Sequence, residues 1–369
     1  MSSPDRAGPE RPLRFLFVRS RPHLPDRFGG VQLSTDQLCY ALSARGHDCA
    51  VLAKLDRLSP GNLGAHLRLL VPGQANRVHD RVMGYPTYRR RRPGRSLAPL
   101  ARAFAPDVVV VNFEGPVAFI EACLKLPLPT LFYLHNVDYE RMRPVLGPHP
   151  NTAFIANGPF LADRFRQFCG LSAAIVPPLC LPDRYRVRPE RRTVLFVNPV
   201  PDKGLDIALA LARRRPDIPF EFVEGWRTRL PFAVHARATN LANVTWRRSM
   251  ADMRPLYAAA RIVLVPSRFE ETWGRTVTEA QISGIPVLAS RHGALPATVG
   301  AGGILVDPAA GIDAWEAALA RLWDDAAAYR DYGAAALAHA ARPEVQPDAV
   351  IEAFLRAASR VVRSDVAET

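Results

Sequence analysis

The chain has 369 residues, 48% of them hydrophobic, and a formal net charge of +13 at pH 7. A chain of this length and composition buries a large apolar core, and the usual size of domains predicts two of them. No apolar run reaches the roughly 18 to 20 residues that cross a bilayer, and the polar N-terminus lacks the apolar stretch of a signal peptide. These features predict a globular, cytoplasmic protein rather than an integral membrane protein.

The five cysteines follow no C-x-x-C or Cys/His spacing, so the sequence predicts neither a disulfide framework nor a zinc site. The positive charge favours anionic partners such as nucleotides, phosphorylated sugars or acidic lipid. Nucleic acid is not expected, because no recognised nucleic-acid module and no repeated basic-aromatic pattern accompanies the charge.

The densest basic cluster is "YRRRRPGRS", from Tyr88 to Ser96. The first interpretation is a solvated loop in an arginine-rich chain. The second is a peripheral contact with an anionic membrane surface, which would place the protein at the inner membrane face. The third is a loop that binds the acceptor of a reaction.

Short β-branched runs recur along the chain, each followed by a segment with helical periodicity. They are "RFLFV" (14–18), "CAVLA" (49–53), "DVVVVN" (107–112), "PTLFYLH" (129–135), "TVLFVN" (193–198), "PFEFVEG" (219–225), "RIVLVPS" (261–267) and "IPVLAS" (285–290). Continuous apolar strands that alternate with helices indicate a parallel sheet covered on both faces. The predicted fold class is therefore doubly wound α/β.

The strands form two series, separated by the proline-rich and charged stretch "PPLCLPDRYRVRPERR", which is typical of a linker. We predict a Rossmann-like N-terminal domain over residues 1–182, a Rossmann-like C-terminal domain over residues 183–347, and a closing helix and tail over residues 348–369. The amphipathic closing helix is expected to pack back on the N-terminal domain. Two such domains would face a central cleft, and doubly wound sheets bind ligands at the carboxyl ends of their strands.

Two features of the N-terminal domain lie at positions where a ligand could bind, one just before a helix and the other at the end of a strand. Gly29 and Gly30 stand just before a helical pattern, where glycines let a ligand approach the helix N-terminus closely; the alternative is an ordinary turn. His135 ends the run "PTLFYLH", where its ring would hydrogen-bond a sugar hydroxyl or a phosphate. The alternative for His135 is a structural histidine.

In the C-terminal domain, Lys203 lies in the loop "NPVPDKG" between a strand and a helix. An ammonium beside a helix start neutralises a diphosphate as a point charge. The alternative is a lysine in a surface turn. The glycines of a Walker loop are absent, so a P-loop nucleotide site is excluded here.

The most informative stretch is "EETWGRTVTEAQISGIPVL", from Glu270 to Leu288. A helix that starts at Gly274 and ends at Gly284 leaves Glu271 in the preceding loop and places Glu279 a little over one turn inside. The free backbone N–H groups of the helix start then lie between the two carboxylates and favour a diphosphate. The alternative is a helix whose first acids complement its dipole, with Glu279 a solvated acid.

These residues resemble the retaining glycosyltransferases of family 4, which have the GT-B fold of two Rossmann-like domains. The match is to "PSRFEETWGRTVTEAQISGIPVLAS", with Glu271 and Glu279 as the E-x7-E pair of that family. Supporting matches are the Gly29-Gly30 turn, His135 and the Lys203-Gly204 pair. The long motif is specific, whereas the other matches alone are not.

The resemblance implies a donor that is a nucleotide-diphosphate-sugar, no cofactor, and no bound metal, and no D-x-D motif occurs in the sequence. It implies catalytic roles for His135, Glu271 and Lys203. The residues implied to bind the donor are Gly29, Gly30, Lys203, Glu271, Thr272, Trp273, Gly274, Arg275, Thr276 and Glu279. Glu279 would hold the ribose, and Glu271 would meet the sugar or the phosphate side. The product would retain its anomeric configuration.

The chain departs from the family pattern at two positions. Pro199 stands where the family usually has a phosphate-binding arginine, and Arg275 or Arg268 are the predicted replacements. Ala297 stands where an acid is more common. The alternatives are a nucleotide-sugar 2-epimerase of the same fold and a non-catalytic protein that binds a nucleotide-sugar. The acceptor, expected on the N-terminal domain near "RSRPHLPDRFGG" and "NFEGP", is not identified by the sequence.

Overall fold

The computed structural model describes residues 11–56, 79–137, 145, 147, 149–225 and 240–367. The chain divides into two compact units. Unit 1 consists of Met1–Leu179 and Pro347–Thr369, and unit 2 is Cys180–Gln346. Each unit is built around its own parallel sheet, which confirms the predicted doubly wound α/β class.

Unit 1 contains a parallel sheet with the order β3-β2-β1-β4-β5-β6-β7. Its strands are β1 (Arg14–Val18), β2 (Asp48–Lys54), β3 (Thr87–Arg90), β4 (Val108–Phe113), β5 (Thr130–Leu134), β6 (Thr152–Ala156) and β7 (Ala174–Ile175). Its first helices are α1 (Gly30–Ala44), α2 (Pro93–Phe104), α3 (Val117–Leu124) and α4 (Pro159–Cys169). The strand order reverses between β1 and β4, and this reversal is where doubly wound sheets bind ligands.

Unit 2 contains a parallel sheet with the order β10-β9-β8-β11-β12-β13. Its strands are β8 (Thr193–Val197), β9 (Phe220–Val223), β10 (Val244–Arg247), β11 (Ala260–Val265), β12 (Val287–Ser290) and β13 (Gly303–Val306). Its helices are α5 (Leu205–Arg214), α6 (Arg254–Ala259), α7 (Arg275–Gln281), α8 (Leu295–Val299), α9 (Ile312–Trp323) and α10 (Ala326–Ala340). The order reverses between β8 and β11, so the loops after these two strands are the expected ligand-binding loops.

Buried side chains on both faces of each sheet form the cores. Along β8, Val194 and Phe196 belong to one apolar cluster and Leu195 to another, as expected when successive side chains point to opposite faces. A sheet covered on both faces needs apolar residues at every position of its central strands. This requirement explains why these strands appear in the sequence as continuous apolar runs.

The last helix, α11 (Pro347–Ala367), packs on unit 1. The ring of Phe354 lies 5.5 Å from that of Phe15 and 6.1 Å from that of Phe17, both in β1. Arg45, just after α1, forms an ion pair with Asp348 near the start of α11. The predicted return of the closing helix to the N-terminal domain is therefore confirmed.

The segment predicted to be a linker packs against unit 2 instead. Cys180 and Tyr185 are each only 4% exposed and belong to an apolar cluster of unit 2. The backbone N–H of Arg192 donates to the carbonyl of Ala259, at 2.8 Å. Proline and charge made this stretch resemble a linker, but its few apolar side chains are anchored in the core.

The interpretation of the basic cluster as a solvated loop is wrong for two of its arginines. Arg89 and Arg90 lie in β3 and are only 5% and 3% exposed. The guanidinium of Arg89 donates to Asp26 at 2.8 Å and to Asp80 at 2.7 Å, so its charge is neutralised inside unit 1. Burial lowers the pKa of Arg90 to about 10. Two arginines of the cluster are therefore buried inside unit 1, whereas others, such as Arg91, are exposed at the surface.

Within the part of the chain that the structure describes, no helix combines the length and the apolar composition needed to span a membrane.

Candidate functional site

The loop after β11 and helix α7 have the layout expected from the sequence. Gly274 precedes the helix with φ 89°, a left-handed conformation that favours glycine. A Cβ at Gly274 would lie 2.8 Å from a side-chain carbon of Leu295. Glu271 lies in the loop and Glu279 lies in the helix. Gly284, which follows the helix, also has a positive φ of 66°.

Lys203 and Glu271 are brought together where the strand order of unit 2 reverses. Lys203 ends a single turn of 3-10 helix after β8, and its ammonium donates to Oε1 of Glu271. The hydroxyl of Ser267, the second residue after β11, donates to the same oxygen at 3.0 Å. The side chains of Lys203 and Glu271 are 20% and 14% exposed. Two residues that are far apart in the sequence thus form one partly buried ion pair.

The backbone around Glu271 is fixed by close contacts. The N–H of Ala294 donates to the carbonyl of Glu271, at 2.7 Å. Gly293 has φ 58°, and a Cβ there would lie 2.5 Å from the same carbonyl oxygen. On the other side, Gly204 has φ 78°, and a Cβ there would lie 1.9 Å from the backbone oxygen of Pro266. Glycines therefore allow the loops that carry Lys203 and Glu271 to pack closely.

Glu279 is buried and held by two donors. It is 3% exposed, its Oε1 accepts from Nε of Arg275 at 3.0 Å, and its Oε2 accepts from the hydroxyl of Tyr257 at 2.7 Å. Burial, and then the Glu279 carboxylate, raise the pKa of Tyr257 well above its ordinary value, so this hydroxyl remains a donor. The alternative that Glu279 is a solvated helix acid is therefore wrong.

Arg275 is not placed to replace the arginine missing at Pro199. Its guanidinium is 7% exposed and donates to Glu279 and, at 2.8 Å, to the hydroxyl of Tyr185. A phosphate would therefore have to compete with Glu279 and Tyr185 for this guanidinium. Arg268 is 47% exposed and forms an ion pair with Asp206, with 3.2 Å between Nε and Oδ1.

The remaining predicted residues of this loop have distinct environments. Trp273 is 8% exposed, and its indole N–H donates to the hydroxyl of Thr278 at 3.0 Å. The side chain of Thr272 is also buried, whereas that of Thr276 is half-buried. Trp273 therefore anchors the loop to α7, and any contact of this residue with a ligand would come from its backbone.

In unit 1, His135 directly follows β5, as predicted. Its Nε2 lies 2.9 Å from Oδ1 of Asn112 at the end of β4, and it donates to that oxygen when Nε2 carries the ring proton. The amide of Asn112 donates in turn to the hydroxyl of Thr35 in α1, at 3.2 Å. Gly29 is the residue before α1 and Gly30 is the first residue of that helix. One hydrogen-bonded chain thus links His135 to the helix that follows the Gly29-Gly30 turn.

The segments "RSRPHLPDRFGG" and "NFEGP" lie against each other in unit 1. Arg19 is fully buried and donates to Glu114 at 2.7 Å, and the hydroxyl of Ser20 donates to the backbone oxygen of Glu114 at 3.0 Å. Arg19 directly follows β1 and Glu114 directly follows β4, so the pair lies at the strand-order reversal of unit 1. Sequence reasoning named the two segments but did not identify Asn112 or this ion pair.

Comparisons with known proteins agree with the predicted family and with the fold. A family model described as Glycosyltransferase Family 4 matches residues 28–179, and one described as Glycosyl transferases group 1 matches residues 191–325. The D-inositol 3-phosphate glycosyltransferase of Segniliparus rotundus is 36% identical over 168 residues, which are 42% of this chain and 37% of that protein. The enzyme of the same name from Paenarthrobacter aurescens is 33% identical over 173 residues, 42% of this chain and 41% of that protein. The matches span no more than about two fifths of these curated relatives.

Solved structures share the fold at low sequence identity. Sucrose-phosphate synthase from Thermosynechococcus elongatus has a TM-score of 0.73 at 18% identity, covering 96% of this chain and all of that one. Anabaena HepE in complex with UDP-glucose has a TM-score of 0.73 at 16% identity, covering 94% of this chain and 100% of that one. The two family models together match most of both units and show that the chain belongs to the glycosyltransferases of family 4.

Proposed function

We propose that the protein is a retaining, metal-independent glycosyltransferase that moves a hexose from a nucleotide-diphosphate-sugar to an acceptor hydroxyl. The observation that carries this proposal is the Lys203–Glu271 pair at the strand-order reversal of unit 2. It lies next to the start of α7, with Glu279 inside that helix. The three side chains supply one positive charge and two carboxylates for a ligand with hydroxyls at both ends and a diphosphate between them.

Lys203 is proposed to bind the diphosphate. In the ligand-free protein its charge is neutralised by Glu271, so the pair is partly buried without an unpaired charge. A diphosphate that approaches this ammonium would compete with Glu271 for it. The released carboxylate would then accept hydrogen bonds from the sugar hydroxyls.

Glu279 is proposed to bind the ribose of the donor. Each oxygen of a carboxylate accepts more than one hydrogen bond, so the bonds from Arg275 and Tyr257 leave capacity for the vicinal hydroxyls of a ribose. Because both protein donors are buried, they also fix the direction of the carboxylate before a ligand arrives. A carboxylate oriented in advance loses less conformational freedom on binding.

The proposed chemistry is a displacement on one face of the sugar. The bond between the anomeric carbon and the phosphate oxygen breaks, and the acceptor oxygen bonds to the same face of that carbon. The acceptor proton passes to the leaving phosphate. Lys203 would stabilise the charge that develops on this phosphate. Within unit 1, His135 and the Gly29-Gly30 turn are proposed to bind a hydroxyl or a phosphate of a substrate.

The names of related proteins support a nucleotide-sugar donor. Structures of Anabaena HepE hold UDP and UDP-glucose. The curated relatives are named for D-inositol 3-phosphate, so this compound is the first acceptor to assay. We also propose a cytoplasmic location, with exposed arginines such as Arg91 and Arg92 available for peripheral contact with an anionic membrane.

The test is a screen of UDP-, GDP- and dTDP-sugars for thermal stabilisation of the purified protein, followed by NMR of the donor that binds. A ligand that binds only the folded state raises the unfolding temperature as its concentration exceeds its dissociation constant. We expect stabilisation by one donor, loss of it in Lys203→Met, and no loss in Lys54→Met of unit 1. A donor sugar inverted at C2 would instead identify a 2-epimerase, and binding without turnover with any acceptor would identify a non-catalytic protein. Absence of stabilisation by all three classes would refute the proposal.

A further inference from the structure

Asn198 has an unusual conformation for its position. It directly follows β8, is 5% exposed and has φ 62°, a left-handed conformation that non-glycine residues seldom adopt. Its backbone is fully used, since its N–H donates to Val223 at 2.7 Å and its carbonyl accepts from Val200 at 2.8 Å. The direction of the side chain is therefore set by a fixed backbone.

The side-chain amide of Asn198 has no hydrogen-bond partner among the residues that the structure describes. Both Nδ2 and Oδ1 are buried without a hydrogen bond. An unsatisfied buried polar group costs about 1–3 kcal/mol, and most buried amides avoid this cost. Gly225, after β9, lies directly against the amide, because a Cβ there would be 2.7 Å from Cβ of Asn198 and 2.8 Å from its Oδ1. Folding thus leaves a donor and an acceptor unused side by side.

The amide lies at the proposed donor site. Asn198 begins the loop that carries Lys203. Two backbone hydrogen bonds connect these residues: the N–H of Val200 donates to the carbonyl of Asn198 at 2.8 Å, and the N–H of Lys203 donates to the carbonyl of Val200 at 2.9 Å. This loop leaves β8 at the strand-order reversal. Pro199, next in the chain, is where the family's phosphate-binding arginine is missing.

Resting on the proposed function, we infer that the amide of Asn198 hydrogen-bonds the nucleotide-diphosphate-sugar. It would thus give this loop a side-chain contact with the ligand, which Pro199 cannot make. An amide both donates and accepts, which fits a neutral group with both capacities better than it fits a phosphate, which only accepts. The edge of a nucleobase and the hydroxyls of the sugar are two such groups. The ligand would satisfy the two atoms that the folded protein leaves unpaired.

The inference makes a prediction that separates binding from stability. Asn198→Gly removes the amide and keeps the left-handed backbone, which glycine adopts without strain. The free protein should unfold at the same temperature or a higher one, because two unsatisfied atoms and the strain of a left-handed asparagine are removed. Binding should weaken about tenfold, as expected from one or two lost hydrogen bonds.

The experiment measures dissociation constants by calorimetry for UDP-glucose and UDP, and for GDP-mannose and GDP, with the wild type, Asn198→Gly and Asn151→Gly. Asn151 of unit 1 has a matching φ of 57° and controls for the backbone effect. Weaker binding of the nucleotide-sugar alone assigns the amide to the sugar, and equal weakening of both ligands assigns it to the nucleotide. Unchanged binding together with a lower unfolding temperature would overturn the inference and leave the proposed function standing. If the wild type binds none of the four ligands and no dTDP-sugar stabilises it in the screen, both fail.

Discussion

Replacing Tyr257 by phenylalanine tests whether Glu279 is held in place from inside unit 2. The substitution keeps the buried ring and removes one hydroxyl, which donates to Oε2 of Glu279 at 2.7 Å. A buried hydrogen bond to a charged group contributes about 1.5–3 kcal/mol. At about 2–4 °C per kcal/mol for a unit of this size, unfolding should move down by about 3–12 °C.

The same substitution should alter recognition of the ribose. With Tyr257→Phe, one oxygen of Glu279 loses its fixed direction while Arg275 still holds the other. The ratio of the dissociation constants for 2′-deoxy-UDP and UDP should therefore fall towards one, which a purely structural role of Tyr257 would not produce. Tyr332→Phe, at a half-buried tyrosine of α10, is the control. An unchanged unfolding temperature and an unchanged ratio would show that the Tyr257 bond neither stabilises unit 2 nor orients Glu279.

Three further predictions concern the framework around the sites. Burial lowers the pKa of His23 well below its ordinary value, so below about pH 6.5 the unfolded chain binds a proton at this residue and the folded protein does not. The free energy of unfolding should therefore fall by up to about 1.4 kcal/mol per pH unit below that pH. In denaturant titrations, His23→Asn should reduce this slope. Gly204→Ala should cost more than about 3 kcal/mol, because its Cβ would lie 1.9 Å from a backbone oxygen. Gly46→Ala should cost only about 1–2 kcal/mol, because Gly46 has φ 85° but open space around it. Similar unfolding temperatures for the two variants would contradict this prediction. Arg89→Ala should cost about 3–5 kcal/mol, because it removes the guanidinium that neutralises the buried carboxylate of Asp26. Arg91→Ala should change the free energy of unfolding by no more than about 0.5 kcal/mol, and urea unfolding measures both.

The central strands could be predicted from the sequence because burial on both faces makes them continuous apolar runs. The run "RFLFV" coincides with β1, and "TVLFVN" exceeds β8 by one residue. The edge strand β10 lacks this pattern. Its residues, Val244–Arg247, alternate between half-buried and exposed positions, so polar residues interrupt the run.

The strand β3 was not predicted because its charges appeared to belong to the surface. Arg89 is acceptable inside only because Asp26, 63 residues away, and Asp80, 9 residues away, converge on its guanidinium. Neither acid is adjacent to the basic cluster in sequence. A charge run therefore does not reveal which of its members are neutralised by tertiary partners.

The positions of the site residues could be predicted better than their partners. The loop location of Glu271 and the helical location of Glu279 follow from the glycines at 274 and 284. Each carboxylate has a partner from another element: Lys203 reaches Glu271 from the loop after β8, and Tyr257 reaches Glu279 from α6. Such pairs arise from the strand order of the sheet, which one sequence does not display.

The most direct test of the account is a comparison of Glu271→Gln with Glu270→Gln, its immediate neighbour. Neutralising Glu271 frees Lys203 for phosphate, so the variant should bind bare UDP, or the nucleotide found by the screen, severalfold more tightly than the wild type. It should also consume the corresponding nucleotide-sugar at least about 100-fold more slowly, because the carboxylate proposed to meet the sugar is lost. Glu270→Gln should change neither quantity by more than about twofold. Wild-type binding and turnover in Glu271→Gln would contradict the claim that the Lys203–Glu271 pair is the donor site.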